Sequence, residues 1–321
     1  MAVASASEER PARLLVPTAA GVQPLAAGLI YAHEHLWLDL TTPEDPQGKL
    51  DRLDLIAEEL SELKRLGVAA LIEQTCRGMG RDVERLRQLQ LASGVQVIPS
   101  TGFYHRRFHP PELARLSVDA IAAQLEEELR TGLDGTGVSP LVLGEIGGSG
   151  TALHPDEEKV LRAVAQVARR WPVVVATHAH LGQGGLRQLQ ILCEEGLEPE
   201  RVLIGHLDLA PALEEVLAVA RRGAYVGFDT IGKERYAPDE RRLTWIVTLC
   251  KEGLAERLLL SCDISRNSYL RRLGGQGYAY LVRDFLPRLA AAGLAPAMVS
   301  RLVEENPRRF LAAAWYSRRK A

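Results

Sequence analysis

Short apolar runs alternate along this chain with longer segments in which apolar residues recur every three or four positions. The runs resemble buried strands and cover residues 29–33, 69–74, 97–101, 141–146, 173–178, 202–206, 224–228 and 258–261. The segments after them have helical periodicity and cover residues 50–66, 82–92, 118–129, 156–169, 186–195, 212–221, 239–252 and 278–292. The pattern therefore predicts eight strand-helix units.

Strands that alternate with helices favour right-handed βαβ units and a parallel sheet. Eight such units in 321 residues predict an α/β fold of the (β/α)8 TIM-barrel type. An open doubly wound sheet is the alternative, but no glycine-rich phosphate motif follows the first strand. No linker rich in Pro, Gly or Ser divides the chain. We therefore expect a flexible lead-in over residues 1–24 and one barrel domain over residues 25–321.

The charge balance of 39 basic against 41 acidic residues provides no general attraction for nucleic acid or for an anionic membrane. The chain has no apolar run long enough to span a bilayer and no secretory pattern at its start. Its four widely spaced cysteines are typical of reduced thiols, as expected for a cytoplasmic protein. Neither a nucleic-acid partner nor a membrane location is expected.

Metal-ligating residue types stand at the ends of several predicted strands. His33 and His35 end the first, and residues two apart on a strand share a face, so both side chains can reach one cation. The same pattern recurs downstream at Glu145, His178, His206 and Asp263. Because the strand ends of a barrel meet at one rim, these donors can converge. Imidazole and carboxylate ligands suit Zn²⁺ first, with Mn²⁺, Co²⁺ or Fe²⁺ as alternatives.

The donor set is large enough for two divalent cations. We expect one ion on His33, His35 and Asp263 and a second on His178 and His206. Glu145 is then expected to bridge both ions together with a hydroxide. In this arrangement Asp263 is the catalytic residue that accepts the proton of the nucleophile. The sequence therefore predicts a hydrolase that works without a covalent intermediate.

Several short sequence motifs also resemble those of a known family. They read YAHEHL at 31–36, ATH at 176–178, IGH at 204–206, LSCD at 260–263 and ENPRRF at 305–310. Together they resemble the phosphotriesterase family of the amidohydrolase superfamily, over residues 28–312. The runs at 228–240 and 274–278 are most similar to the phosphotriesterase homology protein branch. The resemblance implies a two-zinc barrel enzyme in which the six donors named above match the family's ligand positions.

Two positions depart from the phosphotriesterases proper. Glu145 stands where those enzymes have a carboxylated lysine, and no lysine of this chain falls on the predicted fourth strand. Glutamate keeps the single negative charge on a shorter arm. Thr230, beside Asp229, stands where they have a histidine of the proton relay. Asp208 is predicted either to replace that relay or to cap a helix that starts near Pro211.

Cationic and aromatic residues in the loops after strands seven and eight suggest an anionic small-molecule substrate, because barrel enzymes often bind phosphate there. The predicted substrate contacts are Lys233, Arg235, Tyr236 and Arg266, with Arg77 and Tyr104 from earlier loops. The loop that carries His105, Arg106, Arg107 and His109 is predicted to be mainly solvated, with lining of the entrance as the alternative.

Three functions are compatible with this sequence. The first is hydrolysis of a small ester, lactone or amide, with a phosphoester possible. The second is a TatD-type metal-dependent deoxyribonuclease, which shares the GEIG run at 144–147. The third is a non-catalytic ligand-binding barrel. A monomer and a homodimer are both compatible with the sequence.

Overall fold

A computed structural model describes residues 14–315 of the chain. Its strands are β1 Leu15–Thr18, β2 Gly21–Pro24, β3 Leu29–Glu34, β4 Leu38–Asp39, β5 Lys49–Leu50, β6 Val68–Glu73, β7 Gln96–Thr101, β8 Val142–Gly148, β9 Val174–Ala179, β10 Val202–Gly205, β11 Tyr225–Phe228 and β12 Leu258–Leu260. Its α-helices are α1 Leu53–Arg65, α2 Val83–Ser93, α3 Val118–Thr131, α4 Pro155–Arg170, α5 Gly185–Glu194, α6 Leu213–Arg221, α7 Asp239–Lys251, α8 Leu286–Ala291, α9 Pro296–Ser300 and α10 Asn306–Ala312. Two π-helical turns, Leu281–Phe285 and Arg301–Glu305, precede α8 and α10.

Eight parallel strands form one sheet in the order β3-β6-β7-β8-β9-β10-β11-β12. Each strand pairs with the next one along the chain, as in Val142↔Val174 between β8 and β9. This is the predicted (β/α)8 barrel, and every predicted strand lies within two residues of an observed one. Short apolar runs separated by amphipathic helices were therefore sufficient to predict this architecture.

A buried carboxylate closes the barrel between its first and last strands. Glu34, at the end of β3, accepts hydrogen bonds from the Ser261 hydroxyl and from the backbone N–H groups of Cys262 and Ile264, each at 2.8 Å. The backbone N–H of His33 donates to the Ser261 hydroxyl at 3.2 Å. The sequence correctly placed Glu34 away from the metal-ligating face, and its contacts hold His33 near the end of β12.

Alternate strand residues contribute to two apolar layers. Tyr31 and Leu71 belong to the cluster between the strands and the helices, whereas Ile30 and Ile72 belong to the cluster inside the barrel. Phe310, from α10, packs into the inner cluster. The apolar residues of the inner cluster fill the interior of the barrel, and the polar residues lie at the ends of the strands.

Residues Leu15–Pro24, which the sequence predicts to be part of a flexible lead-in, form an antiparallel hairpin instead. Val16 is fully buried in the inner cluster, and the backbone N–H of Ala19 donates to the carbonyl of Val97 at 2.9 Å. Each hairpin strand contains a proline and neither is a continuous apolar run, so their tertiary packing decides their structure. Residues 1–13 of the predicted lead-in lie outside the described residues. Within the described part of the chain, no helix is long and apolar enough to cross a membrane.

Candidate active site

Six side chains from the strand ends converge in one buried group, which we call the metal cup. The metal cup consists of His33, His35, Glu145, His178, His206 and Asp263. Their exposed fractions lie between 0 and 8%. Their donor atoms form two compact groups, each within 4.8 Å: His33 with His35 and Asp263, and Glu145 with His178 and His206. The six predicted metal ligands are therefore brought together by the fold.

Glu145 lies between the two groups. Its Oε1 is 2.6 Å from His178 Nδ1 and 2.9 Å from His206 Nε2. The same oxygen is 3.7 Å from His33 Nε2, and Oε2 is 3.8 Å from His35 Nε2. A carboxylate with histidine nitrogens on both sides can contribute an oxygen to either of two neighbouring cations.

On the other side of Glu145, the Nε2 atoms of His33 and His35 lie near Asp263. His35 Nε2 is 3.3 Å and His33 Nε2 is 3.9 Å from Asp263 Oδ1. His33 Nε2 is buried and has no hydrogen-bond partner among the described residues. Buried polar atoms usually have a partner, and neutral imidazole with carboxylate is a ligand set for zinc. The residues present therefore fit a divalent cation at this position.

Asp229 contacts His33 and His206 on the side of each ring that points away from the metal cup. Its Oδ2 is 2.9 Å from His33 Nδ1, its Oδ1 is 2.9 Å from His206 Nδ1, and Oδ1 also accepts the backbone N–H of His206 at 2.8 Å. A carboxylate can only accept, so both Nδ1 atoms carry a proton and both Nε2 atoms face the cup. One buried side chain thus orients donors of both groups. The sequence analysis did not include Asp229 in the site, although it follows directly after β11.

His35 is oriented by a hydroxyl. Thr75 Oγ1 lies 2.9 Å from His35 Nδ1 and donates its own proton to Glu73 Oε1. The hydroxyl must therefore accept the Nδ1 proton of His35, which again leaves Nε2 for the cup. Glu73 also accepts the backbone N–H of Leu36 at 3.3 Å. These partners, too, were missed by sequence reasoning, although Glu73 ends strand β6.

His178 differs because it presents Nδ1 to the cup. The Tyr104 hydroxyl lies 3.3 Å from Nδ1 and 3.5 Å from Nε2 of this ring. The side chain of Gln188 donates to the His178 carbonyl at 2.8 Å. Tyr104, a predicted substrate contact, therefore lies against a metal-cup residue and lines the same cavity.

The metal cup holds an excess of negative charge close to its imidazoles. Burial by itself lowers the pKa of His33, but the charges of Glu145 and Asp229 raise it to about 9. Burial likewise raises the pKa of Glu145, whereas the neighbouring His178 and His33 bring it well below its usual range. Both shifts have one cause: Glu145 and His33 lie close together in a buried group, so each stabilises the charged form of the other.

The prediction that Asp208 caps the helix near Pro211 was wrong, because α6 has Ala212 at its N-cap and no side-chain cap. Its carboxylate is fully buried and accepts from Arg242 Nε at 2.6 Å and from the Thr230 hydroxyl. Arg242 also donates to Thr230 Oγ1 at 2.7 Å and to Asp239 Oδ1 at 2.8 Å. The Arg242 guanidinium of α7 thus binds Asp208 through Oδ2, while Oδ1 has no hydrogen-bond partner among the described residues. The role of Asp208 in a proton relay stays a prediction. Thr230 joins this buried network.

The metal cup opens into a cavity of about 220 Å³. Four predicted substrate contacts line it: Tyr104, Lys233, Tyr236 and Arg266. Lys233 Nζ is hydrogen-bonded to Asp263 Oδ2, lies 3.3 Å from Ser265 Oγ and stands 4.9 Å from the centre of the Tyr269 ring. The Arg266 guanidinium pairs with Asp45.

Two predicted substrate contacts lie elsewhere. Arg77 donates to Glu128 at 3.0 Å and to Gln124 at 3.1 Å, so its guanidinium is bound to α3 and does not line the cavity. Arg235 is exposed and lies over the Tyr236 ring, outside the cavity lining. Loop position alone could not reveal which way these long side chains extend.

The cavity also has lining residues that sequence reasoning left out. His105 and His180 line it, and their rings lie 6.0 and 5.8 Å from that of His178. Burial, and then the charge of His178, lowers the pKa of His105 to about 4. Tyr269, three residues after Arg266, also lines the cavity. The loop from His105 to His109, which was predicted to be mainly solvated, thus contributes the side chain of His105 to the cavity lining.

Comparisons with known proteins agree with this architecture. The profile of the phosphotriesterase family matches residues 14–311. The phosphotriesterase homology protein of Escherichia coli is 38% identical over 284 residues, which cover 88% of this chain and 97% of that protein. The N-acetyltaurine hydrolase of Bos taurus is 31% identical over 270 residues, 80% of this chain and 77% of that protein.

Three solved structures show the same fold. The Escherichia coli phosphotriesterase homology protein, solved with phosphate in its active site, has a TM-score of 0.87 at 37% identity and covers 89% of this chain and 99% of its own. A resiniferatoxin-binding protein from Rhodobacter sphaeroides has a TM-score of 0.86 at 30% identity, with coverage of 96% and 98%. The lactonase Lmo2620 from Listeria monocytogenes has a TM-score of 0.87 at 25% identity, with coverage of 93% and 99%.

The family resemblance seen in the sequence is thereby confirmed, including the similarity to the phosphotriesterase homology protein branch. The prediction of a hydrolase is confirmed as well, because the matched relatives include hydrolases on the same barrel. This chain belongs to the phosphotriesterase family.

Proposed function

We propose that this chain is a two-metal hydrolase of a small anionic ester, lactone or amide, with Zn²⁺ as its preferred cation. The observation that carries the proposal is the position of Glu145, whose carboxylate has His178 and His206 on one side and His33 and His35 on the other. The donor set of four imidazoles and two carboxylates suits zinc, and Mn²⁺, Co²⁺ or Fe²⁺ fit the same ligands.

Divalent cations in the metal cup would lower the pKa of a water molecule and polarise the carbonyl or phosphoryl oxygen of the substrate. The chain's own residues then have separate tasks. Asp263 directs Oδ1 towards His35 and Oδ2 towards Lys233, and as a carboxylate of the metal cup it takes up the proton that the attacking water loses. Tyr104 covers His178 and narrows the cavity at that side.

The substrate's negative charge is proposed to lie at the side of the cavity formed by Lys233, Arg266 and Tyr269, which we call the anion end. Lys233 is buried, and its ammonium lies next to Asp263, so an anionic group bound there would place a neighbouring carbonyl at the metal cup. The related proteins support this charge preference. One was solved with phosphate in its active site, and another is a hydrolase named for N-acetyltaurine, an amide that carries a sulfonate.

Two other functions were compatible with the sequence. A TatD-type deoxyribonuclease is disfavoured because the cavity is small and the matched relatives named above include hydrolases of small molecules. A ligand-binding barrel has one specific observation in its favour, the Rhodobacter protein named for binding resiniferatoxin. The complete donor set of the metal cup favours catalysis, since binding alone does not require six converging ligands.

The test measures hydrolysis of two amides by the zinc-loaded protein: N-acetyltaurine, which ends in a sulfonate, and N-acetylethanolamine, which has the same acetamidoethyl part but ends in an uncharged hydroxyl. We expect kcat/KM to be at least about tenfold higher for the anionic amide, because one favourable charge contact contributes about 1.4 kcal/mol or more. Lys233→Met should remove this preference. Lys251→Met, which removes the same charge from an exposed site at the end of α7, should leave it unchanged.

Hydrolysis of both amides at equal rates would contradict the anionic preference. A protein that hydrolyses none of a panel of esters, lactones and amides, yet binds zinc, would favour the ligand-binding alternative. Cleavage of DNA in the presence of Mg²⁺ would favour the nuclease.

A further inference from the structure

Both cations of the anion end already have a carboxylate partner within the chain. Lys233 is bound to Asp263, which belongs to the metal cup. Arg266 is bound to Asp45, which comes from the loop between β4 and β5. Two positive and two negative charges therefore cancel at this end of the cavity. A substrate anion that pairs with either cation therefore meets a carboxylate that is already bound to it.

The contact between Arg266 and Asp45 has the geometry of a strong pair. Arg266 Nη1 lies 2.9 Å from Asp45 Oδ1, and Nη2 lies 2.6 Å from Oδ2, so the guanidinium and the carboxylate form two parallel hydrogen bonds. The two side chains are 28% and 37% exposed. This pair is accessible to solvent, so a ligand can displace one of its members.

The loop holds Asp45 in place without the help of Arg266. The backbone N–H of Asp45 donates to the Thr42 carbonyl at 3.0 Å and to Thr42 Oγ1 at 3.1 Å, and its carbonyl accepts from Thr42 at 3.1 Å and from Gly48 at 3.2 Å. A compact turn thus directs this carboxylate towards Arg266. Asp45 pairs with Arg266 because the turn places its carboxylate within hydrogen-bonding distance of the guanidinium.

We propose that Asp45 is a specificity-determining residue that occupies Arg266 in place of the substrate's anionic group. The inference rests on the proposed function, because it concerns the anionic part of the same substrate. Asp45 makes the two bonds to Arg266 that a substrate carboxylate would make, so a weak anion gains little by replacing it. A group with more charge or more acceptor oxygens, such as a phosphoryl group, competes more effectively.

The neighbouring residue Glu44 provides a matched control. It is also acidic and lies on the same loop, but its carboxylate contacts Arg107 and not Arg266. Replacing Glu44 removes one negative charge from the rim at nearly the same place in the fold. A difference between variants at positions 44 and 45 therefore reports on Arg266 and not on overall charge.

The experiment titrates inorganic phosphate into the zinc-loaded protein by calorimetry at fixed ionic strength. Asp45→Asn should lower the dissociation constant by about fivefold or more, whereas Glu44→Gln should change it by less than about twofold. Arg266→Met should raise it by about tenfold. In the double variant, Asp45→Asn should have no further effect, because Asp45 acts through Arg266. Asp45→Ser, with a side chain too short for two bonds, should behave as Asp45→Asn does.

The possible failures are distinguishable. If Arg266→Met weakens phosphate binding while the Asp45 variants match Glu44→Gln, the role of Asp45 is wrong and the anionic substrate stands. If Asp45→Asn tightens binding equally in the Arg266→Met background, the effect is one of general charge and the inference is also overturned. If Arg266→Met has no effect on phosphate, both the inference and the proposed position of the substrate anion are wrong.

Discussion

The metal cup and the anion end share one cavity, but their polar side chains are held in different ways. In the metal cup, the donor histidines His33, His35 and His206 have buried partners on the far side of the ring, so their free nitrogens converge on one space. At the anion end, Lys233 and Arg266 have carboxylate partners, Asp263 and Asp45, bound to their charged groups themselves. The first arrangement leaves its ligand-binding atoms free, and the second occupies them.

This difference indicates how each half responds to a ligand. Partners such as Asp229 and Thr75 fix the orientation of a ring and remain in contact with it when a cation binds. Asp45 occupies the Nη1–Nη2 edge of the Arg266 guanidinium, so an anion that takes this same edge must displace Asp45. We therefore expect cation binding to be sensitive to buried residues behind the cup, and anion binding to be sensitive to exposed residues at the rim.

The largest effect is expected from Glu145→Gln. The amide keeps the size of the side chain but loses the charge that both donor groups share, so we expect turnover to fall by about a thousandfold, equal to about 4 kcal/mol in activation free energy. Zinc content per chain should fall as well, as measured by elemental analysis. Circular dichroism of the variant controls for folding. A folded variant with unchanged zinc content and unchanged turnover would show that the Glu145 carboxylate is not needed by either metal-binding group.

Metal removal is expected to have the next largest effect. A cation that binds only the folded chain stabilises it, by about 2.7 kcal/mol at one hundred times its dissociation constant. Addition of zinc to chelator-treated protein should therefore raise the unfolding temperature by a few degrees. The rise should be smaller in Glu145→Gln. Identical unfolding curves with and without zinc would contradict the metal cup altogether.

Asp229→Asn tests the buried support of the metal cup. Asparagine has one acceptor oxygen in place of two, so it can accept a hydrogen bond from only one of the two Nδ1–H groups. Zinc should therefore bind about 10- to 100-fold more weakly, a change of about 1.4–2.7 kcal/mol. Competition with a chromogenic chelator measures this affinity. Thr230→Ser, which changes the adjacent residue but keeps its hydroxyl, should leave zinc affinity unchanged. Equal affinities in both variants would show that the carboxylate does not orient the two rings.

The smallest effect is expected when Asp45→Asn is measured for stability instead of ligand binding. Its pair with Arg266 is partly exposed, and such pairs contribute less than about 1 kcal/mol to the free energy of unfolding. Urea denaturation of the wild type and of this variant measures the difference. A decrease of several kcal/mol in the free energy of unfolding would mean that Asp45 has a structural role, as Asp229 has in the metal cup. The contrast between the metal cup and the anion end would then be wrong.

The sequence by itself determined the barrel and the identity of the metal cup. Strand periodicity is a local property, and each of the six donors follows or ends an apolar run, so convergence follows from the rule that parallel barrel strands end at one rim. The same reasoning could have found Asp229, which stands directly after the apolar run of β11.

Only the tertiary structure decided where the long side chains and their partners lie. Arg77 and Arg266 both follow barrel strands, but the first is bound to α3 and the second lines the cavity. Arg266 meets Asp45 across 221 positions of sequence, and Asp208 meets Arg242 from a neighbouring helix. A flexible arginine reaches in many directions from the same backbone position, so packing and charge contacts that are distant in sequence select its partner.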